Sequence, residues 1–252
     1  MKHLLSRDNT EVLAQLAWAR VLVAFDFDGT LAPIVANRDE ALMRPRTRAL
    51  FTRVCSLYPC AVISGRAKGD VAPRLGPARI KYVIGNHGLE PGASLEEFED
   101  EITQARGLLA ESLSGVAGVD LEDKRYSLAL HYRRSRNKRV ARAAILKAVE
   151  ELPMAMRVVP GKLVVNVVPA RAPNKGDALL ELRAAEQADT ALYVGDDVTD
   201  EDVFKLDQPG RLVTVRVGEA RASGAAYFLR NQQEMDRLLA KLVALREKNA
   251  TT

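Results

Sequence analysis

The sequence predicts an α/β fold, a doubly wound, mainly parallel sheet that carries an inserted, smaller α/β unit. Three observations predict it. Short continuous runs of aliphatic and aromatic residues (with Cys60) at 21–25, 60–63, 82–84 and 191–194 each end at a turn residue, as strands buried on both faces of a parallel sheet do. Segments of helical spacing follow them, so strands and helices alternate along the chain. Between residues 115 and 168 the pattern changes to alternating apolar and polar positions, the mark of antiparallel strands with one covered face. The boundaries that follow are a core of residues 1–113 and 169–252 and an inserted unit of residues 114–168.

At 252 residues the chain is long enough for a packed core in one large domain or two modest ones. Hydrophobic residues at 47% and charged residues at 28% are ordinary for a globular protein. The net charge of +4 is small and its Lys and Arg are scattered, which argues against a nucleic-acid surface and suits a small anionic ligand. No apolar run approaches the roughly 18 residues that span a bilayer, and residues 1–19 lack the apolar segment of a secretory leader. A cytoplasmic protein with no membrane or nucleic-acid partner is expected. Cys55 and Cys60 are not spaced as a CxxC pair and read as reduced thiols packed as small apolar groups.

In chain order, residues 8–19 have helical spacing (Val12, Leu13, Leu16, Ala17), with Trp18 expected in the core or stapling that helix. The strand at 21–25 runs into Asp26-Phe27-Asp28-Gly29-Thr30-Leu31. After a Pro-containing loop, a helix covers 45–57 with Pro45 suited to its first turn. The second strand, 59–63, ends in Ser64-Gly65-Arg66, which opens a helix over 67–75. The third strand, 81–84, ends in Gly85-Asn86-His87-Gly88, where two glycines suggest a tight loop and a close backbone approach. A helix over 95–113 leads to strands at 119–124 and 127–132, a helix over 137–151, and strands at 157–159 and 163–168 joined by a turn at Pro160-Gly161-Lys162. Asn174-Lys175-Gly176-Asp177 opens a helix to about residue 187. The fourth core strand runs into Gly195-Asp196-Asp197-Val198-Thr199-Asp200-Glu201-Asp202. Strands at 212–217 and near 226–229 and an amphipathic helix over 231–248 complete the pattern.

The chemistry lies at the strand ends. Side chains alternate along a strand, so Asp26 and Asp28 leave its end on one side, with Phe25 and Phe27 on the other. Ligands of open α/β sheets bind beyond the carboxyl ends of the strands, where these acids, Ser64, Asn86, His87, Asp196, Asp197 and Asp200 all fall. Two carboxylates this close are costly unless a cation lies between them or one is protonated. Ser64 and the turn amides after it make an anion site at a helix start. Lys175 stands at a helix N-terminus, an unfavourable place for a cation, which suggests an anion beside it. Five carboxylates within residues 196–202 read as a hard-cation site with oxygen ligands.

A carboxylate attacking a phosphoester meets about 4 kcal/mol of repulsion per charge pair at 4 Å and an effective dielectric of 20. Cations must therefore neutralise the site. Mg2+ held by Asp26, Asp196 and the backbone carbonyl of Asp28 fits that need, with Ser64 and Lys175 taking the remaining phosphate oxygens. Asp28 is then the general acid and later the base, its proton held by the negative charge around it. In the inserted unit Lys124, Arg125, Arg133, Arg134, Arg136, Lys138 and Arg139 read as a solvated face, part of which lines a binding surface with Glu122 and His131.

Asp26-Phe27-Asp28-Gly29-Thr30-Leu31 resembles the nucleophile motif of the haloacid dehalogenase superfamily, and with Ser64, Lys175 and Asp196 the chain resembles that superfamily's phosphatases in all four motifs. The resemblance implies its Rossmann-like core, Asp26 as nucleophile through an aspartyl-phosphate, Asp28 as acid/base, Ser64 and Lys175 as phosphate ligands and Asp196 as ligand of Mg2+. Asp197 and Asp200 would stand behind these ligands or reach them through water.

Ser64-Gly65-Arg66, Gly85-Asn86-His87-Gly88, Glu122-Asp123-Lys124 followed by His131-Tyr132-Arg133, and the acidic run from Gly195 to Glu201 resemble the trehalose-6-phosphate phosphatase family over nearly the whole chain. That likeness makes the insert a sugar-binding cap. Glu122, Lys124 and His131 would hydrogen-bond sugar hydroxyls, with Arg133 and Asn166 beside them, and Gly65, Arg66, Asn86 and His87 would line the pocket from the core. The family's usual glutamate in the last cap strand is Asn166 here, which keeps hydrogen bonding but brings no charge. The implied substrate is a sugar phosphate: trehalose 6-phosphate, or alternatively another disaccharide, glucosylglycerate or pseudo-disaccharide phosphate. A catalytically silent sugar-phosphate sensor is a third reading, but it would have lost Asp26, Asp28 or Lys175. A monomer is expected, with a trehalose-6-phosphate synthase as the protein partner the likeness suggests.

Overall fold

The chain starts with a two-residue strand, Lys2–His3 (β1), and the helix Thr10–Trp18 (α1), before the first long apolar run folds as Val21–Phe25 (β2). Pro45–Leu57 (α2), Cys60–Ile63 (β3), Lys68–Val71 (α3) and Tyr82–Ile84 (β4) follow. Next come Leu95–Ser112 (α4), Asp120–Asp123 (β5), Leu128–His131 (β6), Lys138–Glu150 (α5), Met156–Gly161 (β7) and Val164–Pro169 (β8). Lys175–Ala185 (α6), Thr190–Gly195 (β9), Glu201–Phe204 (α7), Leu212–Val217 (β10), Tyr227–Leu229 (β11) and Glu234–Ala250 (α8) complete the order. This computed structural model describes residues 1–90, 95–161, 163–206, 208–220 and 222–250. The chain divides into two units, Met1–Gly88 with Asn174–Thr252, and Leu89–Pro173.

The first unit is built on one sheet of order β1-β11-β10-β9-β2-β3-β4, every neighbouring pair parallel. Strand order reverses beside β2, where β3 lies on one side and β9 on the other. Such a switch point opens a crevice at the carboxyl ends of the two strands. The apolar run of β2 is continuous because both of its faces are covered. Val21, Val23 and Phe25 pack with Leu13 and Leu16 of α1, Phe51 and Val54 of α2, and Leu238 and Leu242 of α8. Leu22 and Ala24 pack with Leu179 and Leu182 of α6 and with Val203 and Phe204 of α7. Each fully buried Val, Leu or Phe contributes roughly 1.5–3 kcal/mol. Asp26 continues the parity of Leu22 and Ala24, which points it to the face covered by α6.

In the second unit the sheet order is β5-β6-β8-β7, all antiparallel. Leu128, Leu130, Val165 and Val167 form its covered face against Ile102, Ala105 and Leu109 of α4 and Ala141, Ile145 and Val149 of α5. The opposite face carries the row Glu122, Ala129, Asn166 and Val159, which are paired in register.

Several expectations change. The helix α4 packs into the second unit, so the boundaries lie at 88/89 and 173/174 rather than 113/114 and 168/169. The helix expected over 67–75 is α3 followed by a 3-10 turn at Ala72–Leu75, because Pro73 lacks the N–H an α-helix needs there. Pro160 and Gly161 belong to the ladder, opposite Val165 and Val164, so the hairpin turns one step later, at Leu163 with φ +62°. Lys162, part of the expected turn, lies outside the described residues. Trp18 is not in the core but 71% exposed. Cys55 and Cys60 are buried free thiols, as expected.

Candidate active site

At the switch point Lys175 is buried to 1% exposure. Its Nζ donates to Asp26 Oδ1 at 3.0 Å and to Asp200 Oδ1 at 2.8 Å. The helix start is fixed by a capping box: Asn174 Oδ1 accepts from the N–H groups of Gly176 and Asp177, and Asp177 Oδ2 accepts from the Asn174 N–H. The anion that the sequence asks for beside Lys175 is thus a pair of carboxylates. Burial alone would strip the ammonium of its proton, but Asp200 and Asp26 outweigh it and hold the lysine pKa above its usual value.

Asp200, fully buried, accepts three donors: Lys175 Nζ, the Tyr193 hydroxyl at 2.7 Å and the Asp197 N–H at 2.9 Å. It stands behind the site as an anchor for the lysine. One carboxylate oxygen from each of Asp26, Asp196 and Asp200 lies within 4.8 Å of the others. Burial, then the charges of Asp200 and Asp28, push Asp26 up to about 7 even beside Lys175. Burial, then Asp26, Asp200 and Asp197, push Asp196 up to about 8. Three carboxylates around one ammonium leave uncompensated negative charge, and an all-oxygen donor set of this kind fits a hard divalent cation. Gly29, at φ +80°, brings the first loop against this group, since a Cβ there would lie 2.1 Å from Asp196 Oδ2. Thr30 Oγ1 donates to Asp196 Oδ1 at 3.4 Å.

Asp28 faces a different partner from the one expected. Its neighbour is a cation: Arg66 Nε and Nη2 donate to Asp28 Oδ2 and Oδ1 at 2.6 and 2.8 Å, a bidentate pair. Arg66 is therefore turned towards Asp28. Ser64 is buried, and its Oγ accepts from the Arg66 N–H at 3.2 Å. The loops after β3 and β4 are fastened to each other, His87 N–H to Ser64 O at 2.9 Å and Asn86 N–H to Arg66 O at 2.8 Å. The tight backbone there is made by Asn86 and His87 themselves, at φ 49° and 60°, and the His87 ring lies against Gly65. Asp197 is half-buried.

In the second unit Glu122 Oε2 and His131 Nε2 are 2.8 Å apart. Lys124 Nζ donates to Asn166 Oδ1 at 3.4 Å, and Asn166 Nδ2 donates to the Val159 carbonyl at 3.3 Å. Glu122 and Asn166 are paired with the same residue, Ala129, from either side. Arg133 is exposed just beyond β6. Tyr193 and Thr30 were not foreseen as site residues. The signal for Tyr193 was a lone hydroxyl in an apolar strand, since a buried tyrosine O–H finds a partner.

This sheet, with carboxylates at the ends of β2 and β9 and a buried lysine between them, defines a protein of the haloacid dehalogenase type. More narrowly, the trehalose-phosphatase family model matches residues 24–232, and the chain belongs to that family. A trehalose-phosphate phosphatase of Mycobacterium avium (strain 104) is 35% identical over 244 residues, covering 91% of this chain and 60% of the relative. The probable trehalose-phosphate phosphatase 4 of Oryza sativa subsp. japonica is 30% identical over 261 residues, covering 96% and 71%. The chain thus spans about three-fifths of the length of its mycobacterial relative. The C-terminal domain of C. albicans trehalose-6-phosphate phosphatase shares the fold, with a TM-score of 0.74 at 22% identity over 94% of this chain and 97% of that one. Among the described residues no helix is long and apolar enough to cross a membrane.

Proposed function

We propose that this chain hydrolyses the phosphomonoester of trehalose 6-phosphate to trehalose and inorganic phosphate, with the phosphoryl group carried in between on Asp26. The observation that carries the reading is the buried ion pairing of Lys175 with Asp26 and Asp200, three residues from distant chain segments at the sheet's switch point. Family membership supports the substrate.

Asp26 attacks phosphorus while the bond to the sugar oxygen breaks, and Asp28 protonates the departing alkoxide. Asp28 then takes a proton from water, which attacks the aspartyl-phosphate and frees Asp26. Lys175 and Ser64 bind phosphate oxygens, the ammonium lowering the repulsion between the two anions. Mg2+, held by Asp26, Asp196 and the Asp28 carbonyl, would neutralise further phosphate charge. Asp197 and Asp200 support that group, Asp200 by holding Lys175. Glu122, Lys124, His131, Arg133 and Asn166 bind sugar hydroxyls, and Gly65, Asn86 and His87 also contact the substrate. A polyol needs such partners, because a hydroxyl buried unpaired costs about 1–3 kcal/mol.

Asp26→Asn removes the nucleophile, and phosphate release should fall at least a thousandfold; turnover near that of the parent chain would overturn the mechanism. Chelation should stop turnover and Mg2+ restore it. A second reading keeps this chemistry on another sugar phosphate. Asn166 favours it, because a neutral amide bonded to Lys124 stands where charge would otherwise select the sugar. A panel of disaccharide, glucosylglycerate and hexose phosphates decides between them by kcat/KM. The same reading gives a cytoplasmic monomer whose substrate comes from a synthase joining two sugars.

A further inference from the structure

We propose that Asp70 and Arg74 are positioning residues for the proposed reaction: with Arg66 they form a ladder of alternating charge that holds the Asp28 carboxyl in one orientation. The proposal rests on Asp28 acting as the acid/base. Arg66 is 4% exposed and makes four directed bonds. Two go to Asp28; Nη1 donates to Asp70 Oδ2 at 2.8 Å and Nη2 also donates to the Arg38 carbonyl at 2.6 Å. Asp70 Oδ1 accepts in turn from Arg74 Nε and Nη2 at 3.0 and 2.8 Å. Arg74 Nη1 finally donates to the carbonyls of Asp39 and Ala41 at 2.7 and 3.4 Å. The charges run Asp28, Arg66, Asp70, Arg74, and the ladder ends on the backbone of the loop that follows the Asp28 turn.

The spacing makes the ladder possible. Asp70 stands in α3 and Arg74 in the 3-10 turn after it, and Arg66 lies in the loop just before α3, so three consecutive segments bring the charges together. A guanidinium is a rigid planar fork. Bound to Asp70 and to the Arg38 carbonyl, it cannot rotate, and the carboxyl gripped by its remaining edge cannot either. The Asp28 side chain is 39% exposed, and among the described residues its carboxylate takes side-chain bonds only from Arg66. Without the ladder nothing described would set its plane. Proton transfer to a leaving oxygen depends on that plane, since a misplacement of about 1 Å can cost 100-fold in rate. Arg66 thereby acts on Asp28 and does not bind the sugar.

The test is steady-state kinetics on trehalose 6-phosphate at saturating Mg2+. Asp70→Asn should lower kcat tenfold or more while KM stays within twofold of the parent value, and Asp70→Glu should recover most of the loss. Arg74→Gln, further from the site, should give a smaller fall in kcat alone and guards against a misfolded Asp70 variant. Arg66→Lys should lower kcat at least as far as Asp70→Asn, again at constant KM. The proposal is overturned if kcat of Asp70→Asn lies within twofold of the parent, or if Arg66→Lys raises KM and keeps kcat, which would make Arg66 a substrate ligand. A turning-over Asp26→Asn variant would sink the phosphatase reading itself; an inactive one beside an unaffected Asp70→Asn sinks only the ladder.

Discussion

Asp200 is the residue on which the buried charges balance, because three donors converge on a carboxylate with no access to water. Tyr193→Phe removes one donor and nothing else. Hydrogen bonds to charged groups are worth about 1.5–3 kcal/mol, so chemical denaturation should give a loss in that range, and a less firmly held Lys175 should lower kcat several-fold. A variant as stable and active as the parent would show that the hydroxyl is idle. Asp26 and Asp196 give a second prediction. Their folded values, about 7 and about 8, lie above the ordinary 3.8, so through that interval the folded chain holds protons that the unfolded chain has released. Their contribution to stability is full below about pH 4 and is lost as pH rises through 7 and 8. The metal-free protein should therefore melt lower at pH 8 than at pH 5.5, and Mg2+ should raise the melting temperature more at pH 8, where it replaces a proton no longer bound. Equal shifts at both pH values would contradict this. Much of the group was legible in the sequence, since carboxylates at strand ends and a lysine at a helix start are local signals. Arg66 was expected to line the pocket, but its grip on Asp28 was not legible, because it depends on the loop after β3 folding back to β2.

At the scale of elements, α4 separates what periodicity reveals from what it conceals. The repeat of Ile102, Ala105 and Leu109 marks an apolar face but not the sheet that covers it, and so the helix was expected with the wrong unit. Leu109 is fully buried and Leu108, its neighbour, is 42% exposed. Leu109→Ala should cost about 2–5 kcal/mol and Leu108→Ala no more than about 0.5 kcal/mol, read by urea unfolding of the second unit. Similar costs would mean that α4 does not pack by that face. Elsewhere the elements followed their local rules: α2 begins at Pro45 as its first-turn proline requires, and β10 covers the expected 212–217. The elements that escaped were those too short for a period to be seen. β1 has two residues and is fixed by pairing with β11 and by His3 Nε2 against Glu234 Oε2 at 2.8 Å, a contact between residues 231 positions apart.

Across the whole molecule, the insertion leaves and re-enters the first unit at one point. Gly88, at φ +116°, lies so close to the Asn174 carbonyl that a Cβ would come within 2.3 Å of it. Neighbouring ends are what let a chain accept an inserted domain without disturbing its host, and here they adjoin His87 and Lys175. The first unit packs its core on the parallel sheet with α1, α2, α6, α7 and α8, and the second packs its own on the antiparallel sheet with α4 and α5. Among the described residues, the carboxylates grouped to suit a cation, Asp26, Asp196 and Asp200, belong to the first. Separate cores unfold as separate transitions, and a ligand stabilises only the unit that binds it, by about 2.7 kcal/mol at a hundred times its Kd. Calorimetry should show two transitions, of which Mg2+ raises one by about 5–10 °C, the response of a unit of roughly 170 residues. Hydrogen exchange should slow in β2 and β9 on adding Mg2+ and stay unchanged in β6 and β8. A single transition moving as a whole, with protection spread over both sheets, would mean that the two cores unfold together and that the cation stabilises both.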